Sequence, residues 1–230
     1  MGDLKENRNC YASEKQRDIL KKLLEYEEIG QYFFLTGGTA LSVFYLHHRT
    51  SEDLDLFTIK DIRFGEIDYW IKTYYQKRST TIKASQNFLS YLIEGIKVDL
   101  VRDRLSLECE RPRFNLEQDH SIMIDVMDNI VSNKLNTIVS RTEPKDYIDF
   151  YYIMKRYPQY SNQKVYQAAK KKDAIFEDPA TVAYQIEEGI GFLNENPQLM
   201  PSLNLDLDKS DFELFYKNFT QWIYNLQEIH

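Results

Sequence analysis

Apolar positions along this chain recur with two different periods, and the change from one to the other divides it. Up to about residue 110, short apolar runs alternate with amphipathic stretches; from Val126 onward almost every apolar position falls on helical spacing. Ile19, Leu20, Leu23 and Leu24, separated by charged residues, predict an amphipathic helix to about Tyr26 that packs against a sheet. Gly30 is placed to end the helical region before a first strand at Phe33-Phe34-Leu35. Gly37-Gly38 then makes a turn, an apolar segment predicts a helix, and Asp53-Leu54-Asp55-Leu56-Phe57 alternates as a half-buried strand does. Ile62 to Tyr75 predicts another helix, with Ile67, Trp70, Ile71 and Tyr74 on one face. Thr80-Thr81-Ile82-Lys83 and Phe88-Leu89-Ser90-Tyr91 are good strand formers. The run from Tyr91 to Val101 reads as a hairpin whose second strand carries Asp99 between Val98 and Leu100.

Pro112 and the polar stretch Asn115 to Ser121 interrupt this pattern, so a boundary is expected between Glu110 and His120. The expected domains are an α/β catalytic domain at 1–115 and a helical region at 116–230. Helices are expected over 127–139, over 144–155 with Pro158 closing it, from Asp178-Pro179 onward, and over 211–228. In the last, Phe212, Phe215, Phe219, Trp222, Ile223 and Leu226 share one side. The fold class is therefore α+β: a mixed sheet with flanking helices, then a mostly helical C-terminal region.

Composition narrows the class further. With 43% hydrophobic residues the chain can bury a real core. Cys10 and Cys109 make neither a disulfide framework nor a zinc site, and adjacent His47 and His48 lack the spacing of a helical zinc pair. No segment has the form of a signal peptide and the apolar runs are too short to span a bilayer, so a cytoplasmic location with no membrane partner is expected. A net charge of -7 argues against coating nucleic acid by bulk charge. Lys170-Lys171-Lys172 reads as a solvated helix face.

The candidate chemistry lies in the first half. Strand, glycine turn and helix in that order place the Gly37 and Gly38 amides at a helix N-terminus, where N–H groups cradle phosphate. Asp53 and Asp55 point to one face of their strand, and Asp99 joins them if its strand lies alongside. Three gathered carboxylates raise each other's pKa, so a fold that gathers them implies bound cations; Mg2+ (or Mn2+) suits oxygen ligands shared with substrate phosphates. The Thr39 hydroxyl is placed either to donate to a terminal phosphate or to cap the helix. Arg49, with His48 and Ser51 between helix and strand, is placed either to reach phosphate or to pair with Glu52 or another acid.

A Gly-Gly turn, an Asp-x-Asp strand and a later Asp between apolar residues resemble the nucleotidyltransferase superfamily. More narrowly, G-G-T-A-L followed by H-R-T-S-E-D-L-D is similar to the AbiEii/AbiGii toxin family of abortive-infection and toxin-antitoxin systems. The resemblance continues through Asn133-Lys134-Leu135 and the segment Arg141 to Asp149, and covers about residues 33–153. It implies transfer of a nucleoside monophosphate from an NTP to an acceptor hydroxyl, on RNA such as a tRNA end or on a protein, with a cognate antitoxin protein as partner. It gives Lys134 to the triphosphate, where the plain alternative is a solvated lysine, and makes Asp146 or Asp149 orient Lys134, Arg141 or the acceptor. Lys145 and Asp149 also have the spacing of a surface i,i+4 pair. Asp99 is both a metal ligand and a candidate base. Two other classes stay open: a non-catalytic nucleotide-binding module, and a kinase-like phosphotransferase that would release nucleoside diphosphate.

Overall fold

The computed structural model describes residues 4–117 and 120–226. The chain divides into two units, 1–126 and 127–230, each with its own core.

In the first unit, Ser13 caps helix α1 (Glu14–Leu24) by accepting the Gln16 N–H. The four expected apolar residues, Ile19, Leu20, Leu23 and Leu24, are all buried. Helix α2 (Glu27–Tyr32) runs through Gly30 instead of ending there. A Cβ on Gly30 would stand 2.6 Å from the Leu24 carbonyl oxygen, so the bare α-carbon serves close packing rather than a left-handed cap. Strand β1 (Phe34–Thr36) is buried throughout, and helix α3 (Gly37–Ala40) continues directly into a π-helical turn over Leu41–Leu46. Then come β2 (Leu54–Thr58), helix α4 (Phe64–Tyr75), β3 (Ser79–Ser85), β4 (Phe88–Ile93), β5 (Ile96–Arg102), β6 (Arg113–Glu117) and β7 (His120–Ile124).

These strands form one seven-stranded sheet in the order β3-β4-β5-β2-β1-β7-β6. It is mixed: β2 runs parallel to β5 and β1 parallel to β7, while β1 and β2 are antiparallel, as are the outer pairs. The β4–β5 hairpin turns on Glu94-Gly95, both with positive φ, as a two-residue turn between twisted strands requires. Leu54, Leu56, Val98, Leu100, Leu89 and Tyr91 share one face by register and are buried there. Helix α4 packs on β3 and β4 from this side, and the Tyr91 hydroxyl donates to Asp68 of α4. At the end of α4, Tyr75 takes the buried position expected of Tyr74, because it continues the Ile67, Ile71 spacing; Tyr74 is 39% exposed and stacks on Trp70.

β6 and β7 keep the sheet unit going to Val126, past the polar stretch where the sequence places the change of domain. Residues 118 and 119 of that stretch lie outside the described residues.

The second unit is helical: α5 (Met127–Ser140), α6 (Pro144–Arg156), α7 (Asn162–Lys170), α8 (Pro179–Glu195) and α9 (Lys209–Asn225). Asp178 caps α8 by accepting the Ala180 and Thr181 N–H groups, with Pro179 in the first turn. α9 buries Phe212, Tyr216, Phe219 and Ile223, with Phe219 against Phe150 of α6; positions 227 and 228 of the expected helix lie outside the described residues. Within the lysine run, Lys172 departs from a solvated face. Its ammonium donates to Asn129 Oδ1 at 2.6 Å and Asn133 Oδ1 at 2.5 Å. No described helix is long and apolar enough to cross a membrane.

Candidate active site

On the sheet face opposite Leu54 and Leu56, the register lines up a row of polar side chains. Asp55 pairs with Asp99 across the parallel β2–β5 ladder, Asp99 pairs with Ser90 of β4, and Asp55 pairs with Thr36 of β1 on its other side. Paired positions on neighbouring strands share a face, so Ser90, Asp99, Asp55 and Thr36 point the same way. Asp53, just before the strand, is near enough for its charge to act on Lys97 beside Asp99. The expected adjacency of the Asp99 and Asp53–Asp55 segments is thus a matter of strand order.

The row is electrostatically engaged. Ser90 donates to Asp99 Oδ1 at 2.5 Å, and the Lys97 ammonium lies 2.8 Å from Asp99 Oδ2. Burial alone would lower the pKa of the Lys97 ammonium; Asp99, then Asp53 and Asp55, more than offset it and hold the value above that of an ordinary lysine. Among the described residues no three or more His, Cys, Asp and Glu side chains stand in geometry ready for a metal ion. The donor set nevertheless suits a hard divalent cation: two carboxylates stand side by side in register on adjacent strands and a third lies two residues before one of them.

The glycine turn lies directly against this row. Gly37 has φ +66°, and a Cβ built there would fall on the Asp55 carboxylate, inside any van der Waals contact. At Gly38 a Cβ would meet the Arg49 guanidinium at 2.5 Å. Backbone and acid can approach this closely only because neither position has a side chain. Gly37→Ala should therefore cost about 1–2 kcal/mol from its left-handed conformation, and should also push Asp55 out of line. Urea unfolding would check this, with Gly65→Ala, which has open space around its Cβ, as the neutral control. A Gly37→Ala protein with parental stability would show that the close approach is not required.

Other expected site residues turn out to brace the turn. Thr39 is fully buried; its hydroxyl donates to the Asp53 carbonyl and shares a hydrogen bond with the Ser51 hydroxyl, Oγ1 to Oγ 2.9 Å. Ser51 is 4% exposed, and its backbone N–H and C=O bond to Cys10 and Ala12. Thr39 and Ser51 thus tie the loop before β2 inward and position it. Arg49 is 3% exposed and its Nη1 donates to the Thr50 carbonyl at 2.9 Å.

Two positions went unnoticed in the sequence. Gln16 of α1, fully buried, donates to the Asp53 carbonyl at 3.1 Å and accepts the Ala12 N–H at 2.8 Å, tying α1 to the strand entrance. Asp125, also fully buried, accepts from Thr36 Oγ1 at 2.7 Å and from Arg111 Nε at 2.9 Å. An Asp directly after an apolar strand carries the same weak signal as Asp99; only the register places it beside Thr36.

In the second unit Lys134 is 6% exposed, and its ammonium lies 2.7 Å from Asp146 Oδ1 and 2.6 Å from Asp149 Oδ2, both carboxylates fully buried. Arg141 adds a second cation on Asp146 Oδ2 at 2.8 Å. Lys134 is therefore no solvated lysine, and Asp149 is no member of a plain surface pair. Burial alone would raise the Asp146 carboxyl, but the charges of Lys134 and Arg141 outweigh it and hold the pKa below the ordinary carboxylate value.

Solved structures share this architecture. JHP933 from Helicobacter pylori matches over 94% of this chain and 94% of its own, with a TM-score of 0.56 and 18% identity. MenT4, a nucleotidyltransferase toxin from Mycobacterium tuberculosis, matches over 90% of this chain and 82% of its own, with a TM-score of 0.51 and 12% identity. At such identities the likeness is one of fold: a nucleotidyltransferase-like α+β arrangement. An uncharacterized protein of Aquifex aeolicus is 31% identical over 143 residues, which are 62% of this chain and 67% of that protein. The family model described as nucleotidyl transferase AbiEii toxin, type IV TA system, matches residues 18–221, and the chain belongs to that family of nucleotidyltransferase toxins.

Proposed function

We propose that the row Asp53, Asp55 and Asp99, with the Gly37–Gly38 turn against it, is the site of nucleotidyl transfer, and that its acceptor is a hydroxyl of RNA or protein. The observation that carries this reading is the Asp55–Asp99 pair in direct register, with the Gly37 backbone pressed onto the Asp55 carboxylate. Phosphate oxygens seated on the amides of Gly37 and Gly38 would lie beside the carboxylates, which is where a triphosphate and its counter-ion belong. Asp53, Asp55 and Asp99 would hold that ion, Mg2+ or Mn2+. A bound divalent ion supplies charge neutralisation on the triphosphate and a lowered pKa for an attacking hydroxyl.

In the reaction the acceptor oxygen bonds to the α phosphorus, the bond to the bridging oxygen breaks, pyrophosphate leaves and the acceptor proton is released. The chain's part is positioning and electrostatics. Thr39, Ser51 and Gln16 fix the backbone at Asp53, and Ser90 fixes Asp99. For Lys134 the proposal is a phosphate-directed ammonium, set within its own unit by Asp146 and Asp149. Lys145 and Arg49 are proposed as further phosphate-side charges. A cognate antitoxin and a cytoplasmic location complete the reading.

The test is incubation of the protein with each α-labelled triphosphate, magnesium and total cellular RNA, following label in RNA, in protein and in pyrophosphate. Label entering RNA or protein with pyrophosphate released supports the reading and names the acceptor class. Release of nucleoside diphosphate with γ-label transferred would replace it with phosphotransfer.

A further inference from the structure

The acid row contains a cation of its own. Lys97 precedes Asp99 by two residues on β5 and therefore points to the same face, with its ammonium 2.8 Å from Asp99 Oδ2. One step back from the Leu54–Val98 register, Lys97 comes beside Asp53. Its side chain is 43% exposed while that of Asp99 is 14% exposed, so the ammonium sits at the rim of the row with room to withdraw into solvent. Its partner across the β4 ladder is Leu92, an apolar residue that offers no competing charge and is itself 43% exposed. A divalent ion held by Asp55 and Asp99 would share the Asp99 carboxylate with the Lys97 ammonium, and two cations a few ångströms apart repel.

We propose that Lys97 is the resident counter-ion of the acid row: it holds Asp99 when no metal is bound, yields to an incoming divalent cation, and so weakens the intrinsic affinity of the site for the metal. This rests on reading Asp53, Asp55 and Asp99 as the metal-holding residues. A lysine present only to pin the strand pair would behave differently, because its removal would loosen the fold without strengthening metal binding.

The experiment is a titration of the full chain with Mn2+ alone, following free Mn2+ by its electron paramagnetic resonance signal, in the parent, Lys97→Gln, Lys97→Arg and Asp55→Asn proteins. Lys97→Gln should bind Mn2+ about ten-fold more tightly, since a competing charge is removed, and Lys97→Arg should bind as the parent does. Added Mn2+ should accordingly raise the melting temperature of Lys97→Gln more than that of the parent. Asp55→Asn should bind far more weakly. Weak binding by Asp55→Asn with unchanged or weaker binding by Lys97→Gln would overturn the role of Lys97 and leave the metal site standing. Unchanged binding by Asp55→Asn, or no binding by any of the proteins, would remove the site and this inference together.

Discussion

Asp55→Asn is expected to lower nucleotidyl transfer by about a thousand-fold or more while leaving the sheet intact, since a carboxylate that holds a catalytic ion cannot be replaced by a neutral amide. Asp55 is the centre of the row, paired with Asp99 on one side and Thr36 on the other, and it touches the glycine turn. The substitution keeps the shape of the side chain, so the Leu54 and Leu56 face that builds the core is unaffected. Removing one negative charge from a crowded row also relieves repulsion, so the melting temperature should hold or rise slightly. Transfer of α-label measured beside a thermal melt separates the two effects. Near-parental transfer by a folded Asp55→Asn protein would take the chemistry away from this row.

The second large effect is one of stability. Lys134→Met should destabilise the helical unit by about 3–5 kcal/mol at neutral pH, because it leaves buried Asp146 and Asp149 without the ammonium that bridges them. Arg141 remains on Asp146, but its side chain is 51% exposed and solvent screens its charge. The pH dependence has a definite sign. The folded Asp146 carboxyl is held below its ordinary value, so the stability it contributes is fully present above about pH 4, the usual Asp pKa. That contribution is lost as pH falls through the lower folded value. In Lys134→Met the largest counter-charge is gone, so the gap between the two proteins should narrow on acidification. Urea unfolding at pH 7 and at pH 3.5 checks both statements. A difference under about 1 kcal/mol at pH 7 would mean that Arg141 and the surrounding helices compensate the acids unaided.

How much of this was legible beforehand follows from the range of each interaction. The α5 and α6 bounds, the Asp178-Pro179 start of α8 and the Glu94-Gly95 hairpin are set by neighbours within a few residues, and periodicity and capping reveal them. Gly30 serves a close approach to Leu24, whereas propensity alone sees only a helix terminator. The polar stretch before β7 looked like a domain boundary, but its flanking strands complete the sheet, a pairing no local pattern announces.

The sequence by itself determined the α+β class, the strand that carries Asp55 with Asp53 just before it, the hairpin that carries Asp99, and the helices that carry Lys134, Asp146 and Asp149. Alternation and helical spacing are properties of adjacent residues, so one chain is enough to read them. Only the tertiary structure decided that Asp55 and Asp99 stand in register, that Gly37 bears on Asp55, that Thr39 and Ser51 face inward, and that Lys97, Gln16 and Asp125 belong to the same neighbourhood. Those relations depend on which strands pair and on what the loops are tied to, and the core packing of the whole unit fixes both.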